Sequence, residues 1–223
     1  MTESRILKSD LLGAVRLTTL NGISVVVRDC AASSVTLRWL ARRLMQREAR
    51  AMALLADIDG VPQLVQQQQD CLLRSYIAAQ PMQLAKPTGR AYFNNAARLL
   101  RRIHAAGVAH NDLSKEPNWL VREDGRPAII DFQLAFSTRR RGKFFRLAAR
   151  EDLRHLLKHK RTYCPQYLTT RERRILSSPG WASIAIARTI KPIYLFVTRS
   201  LLGWEDREGG GDREPAARVG TRR

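Results

Sequence analysis

No stretch of these 223 residues is apolar for long enough to cross a bilayer. A spanning helix needs a run of about 18 uncharged apolar residues, and none exists. The opening Met-Thr-Glu-Ser-Arg carries no apolar signal core. Secretion and membrane spanning are therefore not expected, and the expected location is the cytoplasm. Cysteine is scarce: Cys30, Cys71 and Cys164 are odd in number and scattered, which argues against a disulfide framework or a metal knuckle. They are read as reduced thiols packed as small hydrophobes. The pair Gly142-Lys143 lacks the earlier glycine that a P-loop needs. Acidic residues are also in short supply, with 20 Asp and Glu against 39 Lys and Arg, a formal charge of +19. An excess of that size predicts an anionic partner: nucleic acid, an anionic membrane surface or a phosphorylated substrate.

What is present is enough for a core, since 44% of the chain is hydrophobic, and its length allows one large domain or two lobes. Between residues 12 and 29 two apolar runs flank Asn21-Gly22, a hairpin signal, so two or three antiparallel strands are expected. Helical periodicity runs from Leu37 to Ile58 and is stopped by Asp59-Gly60-Val61-Pro62. Leu72 to Ile77 reads as a strand, and Gln80-Pro81 as a hinge between lobes. Helices are expected over 91–106, 146–160 and 170–177, with short strands at Trp119–Val121 and Ala128–Ile130 joined by Glu123-Asp124-Gly125-Arg126. The division that follows is 1–78, a β-rich lobe with one long helix; 79–178, a reduced helical lobe; 179–204, a basic amphipathic segment; and 205–223, a glycine-rich charged tail expected to be disordered.

The residues that carry chemistry cluster in His110-Asn-Asp-Leu-Ser-Lys-Glu-Pro-Asn118, followed after an apolar strand by Asp131-Phe-Gln133. Two carboxylates and an amide at this spacing can build a metal–triphosphate site. Phosphoryl transfer needs a carboxylate near the acceptor hydroxyl and oxygen ligands for magnesium, and asks little other covalent chemistry of the protein. The order His-x-Asp-Leu, then Asn, then Asp-Phe-x resembles the catalytic loop and metal-binding motif of the protein-kinase-like superfamily. Within it the chain looks closest to small bacterial kinases, the RIO-type kinases and the lipopolysaccharide core (Kdo/heptose) sugar kinases. The resemblance spans about residues 12 to 160 and is concentrated between His104 and Ala135. It implies an α+β, bilobal fold, with a small β-rich N-lobe plus one long helix and a reduced, mainly helical C-lobe.

The resemblance also implies roles. Asp112 would orient the acceptor hydroxyl and take its proton late in transfer. Asn118 and Asp131 would ligate Mg²⁺ and so hold ATP, and His110 would buttress the loop. Lys115 shares that loop, within reach of the transferred phosphate or simply solvated. The strand lysine that grips nucleotide phosphates is replaced by Arg28, which either takes that role or is a surface arginine. Glu48 matches its helix partner. Asp152 either anchors the catalytic loop from the next helix or is a helix N-terminal acid. His155 and His159, at i, i+4, lack the glutamate of a zinc helix and are read as part of a cationic face.

Several departures mark the kinase as minimal. Only Gly13 and Gly22 stand where a Gly-x-Gly-x-x-Gly loop would cover phosphates. Gln133 replaces the last glycine of Asp-Phe-Gly, which predicts a more fixed Asp131. The Arg139–Lys143 run either flanks the acceptor side of the cleft or is a solvated charge run. Trp181 to Trp204 is basic, aromatic-flanked and kinked by Pro192, suited to a membrane interface or to packing on the lobe. The expected function is ATP- and Mg²⁺-dependent transfer to a hydroxyl, on a Ser/Thr side chain or a lipopolysaccharide core sugar, with peripheral contact at the cytoplasmic face of the inner membrane. A weak or inactive pseudokinase scaffold is the competing expectation. Nucleic acid follows from charge alone, without a base-reading motif.

Overall fold

The computed structural model describes residues 4–177. The expected segments 179–204 and 205–223 lie outside the described residues.

Strands β1 (Arg5–Asp10), β2 (Gly13–Leu20) and β3 (Ile23–Asp29) form an antiparallel meander. The turn at Asn21-Gly22 puts both residues at positive φ, 50° and 80°, as a two-residue hairpin loop favours. At the β1–β2 turn Gly13 has φ 121°, and a Cβ there would come within 2.2 Å of the Asp29 carbonyl oxygen. Helix α1 (Arg38–Leu54) follows, then β4 (Leu64–Gln67) and β5 (Cys71–Ser75), which complete a five-stranded sheet in the order β1-β2-β3-β5-β4. β1 and β4 are additions to the expected strands. Both carry mixed, largely exposed side chains, so they lack the apolar run that betrays a strand.

The segment Gln80-Pro81, read as a hinge, lies in a short strand, β6 (Ala79–Pro81), paired with β8 (Trp119–Arg122). Pro81 is tolerated because β6 is the edge of its three-stranded sheet, β6-β8-β9, closed by β9 (Pro127–Ile129). Between them come α2 (Met82–Ala85), α3 (Arg90–Ala105) and β7 (Val108–Ala109), which pairs with β10 (Phe136–Ser137). Helix α4 (Lys143–Tyr163) begins three residues before the expected start, with Gly142 as its N-cap, and α5 (Thr170–Ser177) closes the described chain.

The two larger apolar clusters among the described residues hold the lobes. Cys30, Met45, Met52 and Leu72 pack between α1 and the large sheet. Phe93, Leu100, Ile103, Trp119, Ile129, Phe132 and Leu156 form the larger core, to which α1 contributes Ala51 and the residue after its end, Leu55, adds to it. α1 thus belongs to both, and Glu48 on its buried face stands between them.

Candidate active site

The loop from His110 to Asn118 is contiguous in sequence, but its shape is imposed from outside. Asp152, fully buried on α4, accepts the backbone N–H of His110 at 2.7 Å and of Asn111 at 2.9 Å, and lies 3.1 Å from His104 Nε2. Of its two expected roles, the first is the one built. Asn111 has φ 64°, a left-handed backbone that these bonds hold in place. The buried His110 ring packs on Phe132 with centroids 4.7 Å apart. Its Nε2 hydrogen reaches the Ile130 carbonyl at 2.9 Å, which leaves Nδ1 to accept the Asp112 N–H at 3.3 Å. One imidazole therefore joins the loop to the strand that delivers Asp131.

α4 braces the loop a second time. His159 Nε2 donates to the Leu113 carbonyl at 2.9 Å, and Tyr163 Oη donates to Glu116 at 2.6 Å. The expected cationic face is corrected here: His159 is buried, and burial pushes His155 down to about 4, so it stays neutral in the fold. Packing of α4 against the lobe buries His159 and leaves His155 only partly exposed.

Asp112, Lys115 and Asn118 meet at the mouth of the loop. Lys115 Nζ is 3.0 Å from Asp112 Oδ2, and Asn118 Nδ2 donates to the Asp112 carbonyl at 2.9 Å and to Oδ2 at 3.3 Å. With its nitrogen so used, Asn118 turns its amide oxygen to any cation. Burial raises the Asp112 pKa against the opposing pull of Lys115, so this carboxylate is more basic than an exposed aspartate.

Asp131 arrives from the neighbouring strand. Trp119 pairs with Ile129, and Ile130 N–H donates to the Asn118 carbonyl at 3.1 Å, so Asn118 and Asp131 sit beyond the ends of paired strands. Asp131 has φ 68°, and Gln133 Nε2 donates to its Oδ1 at 2.7 Å. Burial alone would raise its pKa, but Arg28 and then Arg74 outweigh burial and hold the carboxylate ionised.

Arg28 and Glu48 are brought together: Arg28 Nε lies 3.2 Å from Glu48 Oε2, and Glu48 is wholly buried. The second partner of Glu48 is Arg74 on β5, with Nη1 2.9 Å from Oε1. Sequence reasoning missed Arg74. The signal available was its place two residues after Leu72 in an apolar strand, which points both inward. β5 sets Arg74 opposite Val26, two residues from Arg28 on the same face of β3. These are ion pairs by charge and distance; the N–H groups do not aim at the carboxylate oxygens with hydrogen-bond geometry. Burial lowers the Arg28 pKa, yet Glu48 and then Asp131 more than offset it and leave it raised. Two guanidiniums and two carboxylates thus share one buried cluster of no net charge.

This cluster and the loop fit a metal-bound nucleotide. Oxygen donors of Asn118 and Asp131 suit a hard divalent cation. The guanidiniums of Arg28 and Arg74 border this cluster, and guanidinium is a group that suits phosphate oxygens. Among the described residues no group of three or more His, Cys, Asp or Glu forms a separate metal cage.

The family model of the RIO domain matches residues 26–173, more than half of the chain. Among solved structures the chain is similar to the Rio2 kinase from Chaetomium thermophilum, with 17% identity and a TM-score of 0.60, covering 80% of this chain and 64% of that one. It is equally similar to that kinase's ADP/Mg²⁺-phosphoaspartate complex, with 17% identity and a TM-score of 0.60, covering 86% of this chain and 68% of that one. The chain therefore spans about two thirds of those structures, and at this identity they show the fold. No curated protein matches the sequence.

Proposed function

Because this chain belongs to the RIO domain family, we propose that it is an ATP- and Mg²⁺-dependent phosphotransferase that acts on a hydroxyl acceptor. The observation that carries the reading is the convergence of Asp112, Asn118 and Asp131, with an ion-paired Arg28 behind them. The Rio2 kinase complex with ADP and Mg²⁺ supports the same pair of ligands here.

Asn118 and Asp131 would hold Mg²⁺, with Arg28 and Arg74 facing the phosphates. Bound there, the metal nucleotide supplies the phosphoryl group and neutralises charge as it develops. The chain's own residues do the rest. Asp112, kept basic by burial, orients the acceptor hydroxyl and receives its proton. Lys115 sits on Asp112 and is placed to meet negative charge on the group in transit. Asp152 and His110 set the loop's geometry without touching reactants.

The acceptor is an anionic or membrane-associated hydroxyl compound, a Ser/Thr side chain or a lipopolysaccharide core sugar, drawn by the exposed Arg139–Lys143 run. The work is placed in the cytoplasm, with peripheral contact at its membrane face. The test is transfer from labelled ATP, with Mg²⁺, to the protein itself and to candidate acceptors. Asp112→Asn should lower the rate by about 10²–10⁴-fold, the usual contribution of a positioned base. Equal labelling by wild type and variant would count against the assignment. A second reading, a catalytically weak scaffold, rests on arginine at position 28, because its planar fork does not reproduce a compact ammonium. Nucleotide affinity that is indifferent to Mg²⁺ would favour it.

A further inference from the structure

Helix α1 has a second face that the proposed chemistry does not use. Glu48, Met45 and Met52 are buried, whereas Trp39, Arg43, Arg47 and Arg50 lie on the solvent side. Their spacing of four, four and three residues draws one stripe along the helix. The stripe lines an open cavity of about 480 Å³, to which Leu40 and Gln46 also contribute.

Three features of the stripe point to a ligand. Like charges one turn apart destabilise a helix, and burial together with Arg43 depresses the pKa of Arg47. Some surface arginines are paired, as Arg42 is with Asp70 and Arg122 with Asp59, whereas among the described residues no carboxylate pairs with Arg43 or Arg50. Arg47 reaches only the Ala135 carbonyl, at 3.3 and 3.4 Å. Finally, Trp39 is 62% exposed and lines the same cavity as these arginines.

We propose that this face binds single-stranded nucleic acid, with backbone phosphates on Arg43, Arg47 and Arg50 and a base stacked on Trp39. From Trp39 to Arg50 the helix rises about 16 Å, more than one phosphate group can serve but suited to successive nucleotides of a strand. An aromatic platform beside a cationic groove binds strands without reading sequence, so no base-reading motif is required. A flat lipid surface is a poorer match, because the site is concave and Trp39 is its one outward apolar group. Binding does not depend on phosphotransfer, so it can be tested apart from the proposed activity.

The experiment is fluorescence anisotropy of a labelled twelve-nucleotide oligouridine with the full chain across a salt series. Wild type should bind with steep salt dependence. R43E/R50E should weaken binding by at least about tenfold, and Trp39→Ala by about fivefold, the loss of one stacked base. R98E/R101E on the exposed side of α3 changes net charge equally and should alter binding less than about threefold. If the glutamate pair does not fold, R43Q/R50Q asks the same question. Equal weakening by the α3 pair would overturn the site in favour of a diffuse field. Absence of binding, or loss on R43E/R50E of binding to phosphatidylglycerol vesicles but not to the oligonucleotide, would also overturn it.

Discussion

Asp112 is held between two opposing influences, burial that favours its neutral form and Lys115 that favours its charge. Burial wins, so the folded pKa lies above the ordinary aspartate value of about 3.9. A base must be deprotonated to work, so activity falls as pH drops through that raised value. The acid limb of kcat/KM should therefore lie above that of an exposed aspartate. Lys115→Ala removes the lowering influence and should move the limb further toward neutral pH. A limb that stays put or moves toward acid would sink this account. Arg74 belongs to the same scale: it gives Glu48 a second guanidinium, and a buried carboxylate between two cations is held more firmly than one with a single partner.

Among elements, α4 does the most to shape the loop, because Asp152 satisfies two loop N–H groups that would otherwise be buried or strained without partners. Asp152→Ala should destabilise the fold by about 2–4 kcal/mol, given that each orphaned buried donor costs about 1–3 kcal/mol. Chemical denaturation measures this, and kcat should fall while nucleotide affinity changes little. A variant as stable as wild type would contradict the role. The junction of α3 and β7 is equally constrained. Gly107 has φ 82°, and a Cβ there would come within 2.3 Å of the Thr138 carbonyl oxygen, whose residue donates its N–H back to Gly107 at 2.9 Å. That exchange pins the start of the Arg139–Lys143 run beside the loop.

For the molecule as a whole, acid is the expected weakness. His155 is neutral in the fold down to about 4, whereas an unfolded histidine charges near 6.5. Between those values the unfolded state binds the extra proton, so stability falls as pH drops through the window. His155→Gln should flatten the slope of unfolding free energy against pH between about 6.5 and 5, above the range where most carboxylates titrate. An unchanged slope would exclude His155 as a source. The charge of +19 acts at this scale too, setting long-range attraction for anions but not where they dock.

How much was legible in the chain follows from distance along it. Asp112, Lys115 and Asn118 lie on one short loop, and Asp131 follows across a strand pair whose register brings it back, so residues close in sequence make up the site. A β-rich segment followed by a helical one was legible because periodicity and turn signals are local, and the kinase-like arrangement followed from the motif resemblance. Arg74, the double anchoring by Asp152 and the cavity on α1 were decided by tertiary structure. They depend on β3–β5 register, on α4 packing beneath the loop and on which face of α1 the core consumes. Such contacts join residues tens of positions apart, and no local pattern encodes the partner. What the sequence by itself determined is the set of chemical groups and their local order; the fold decided which charges share a buried cluster and which are left facing water.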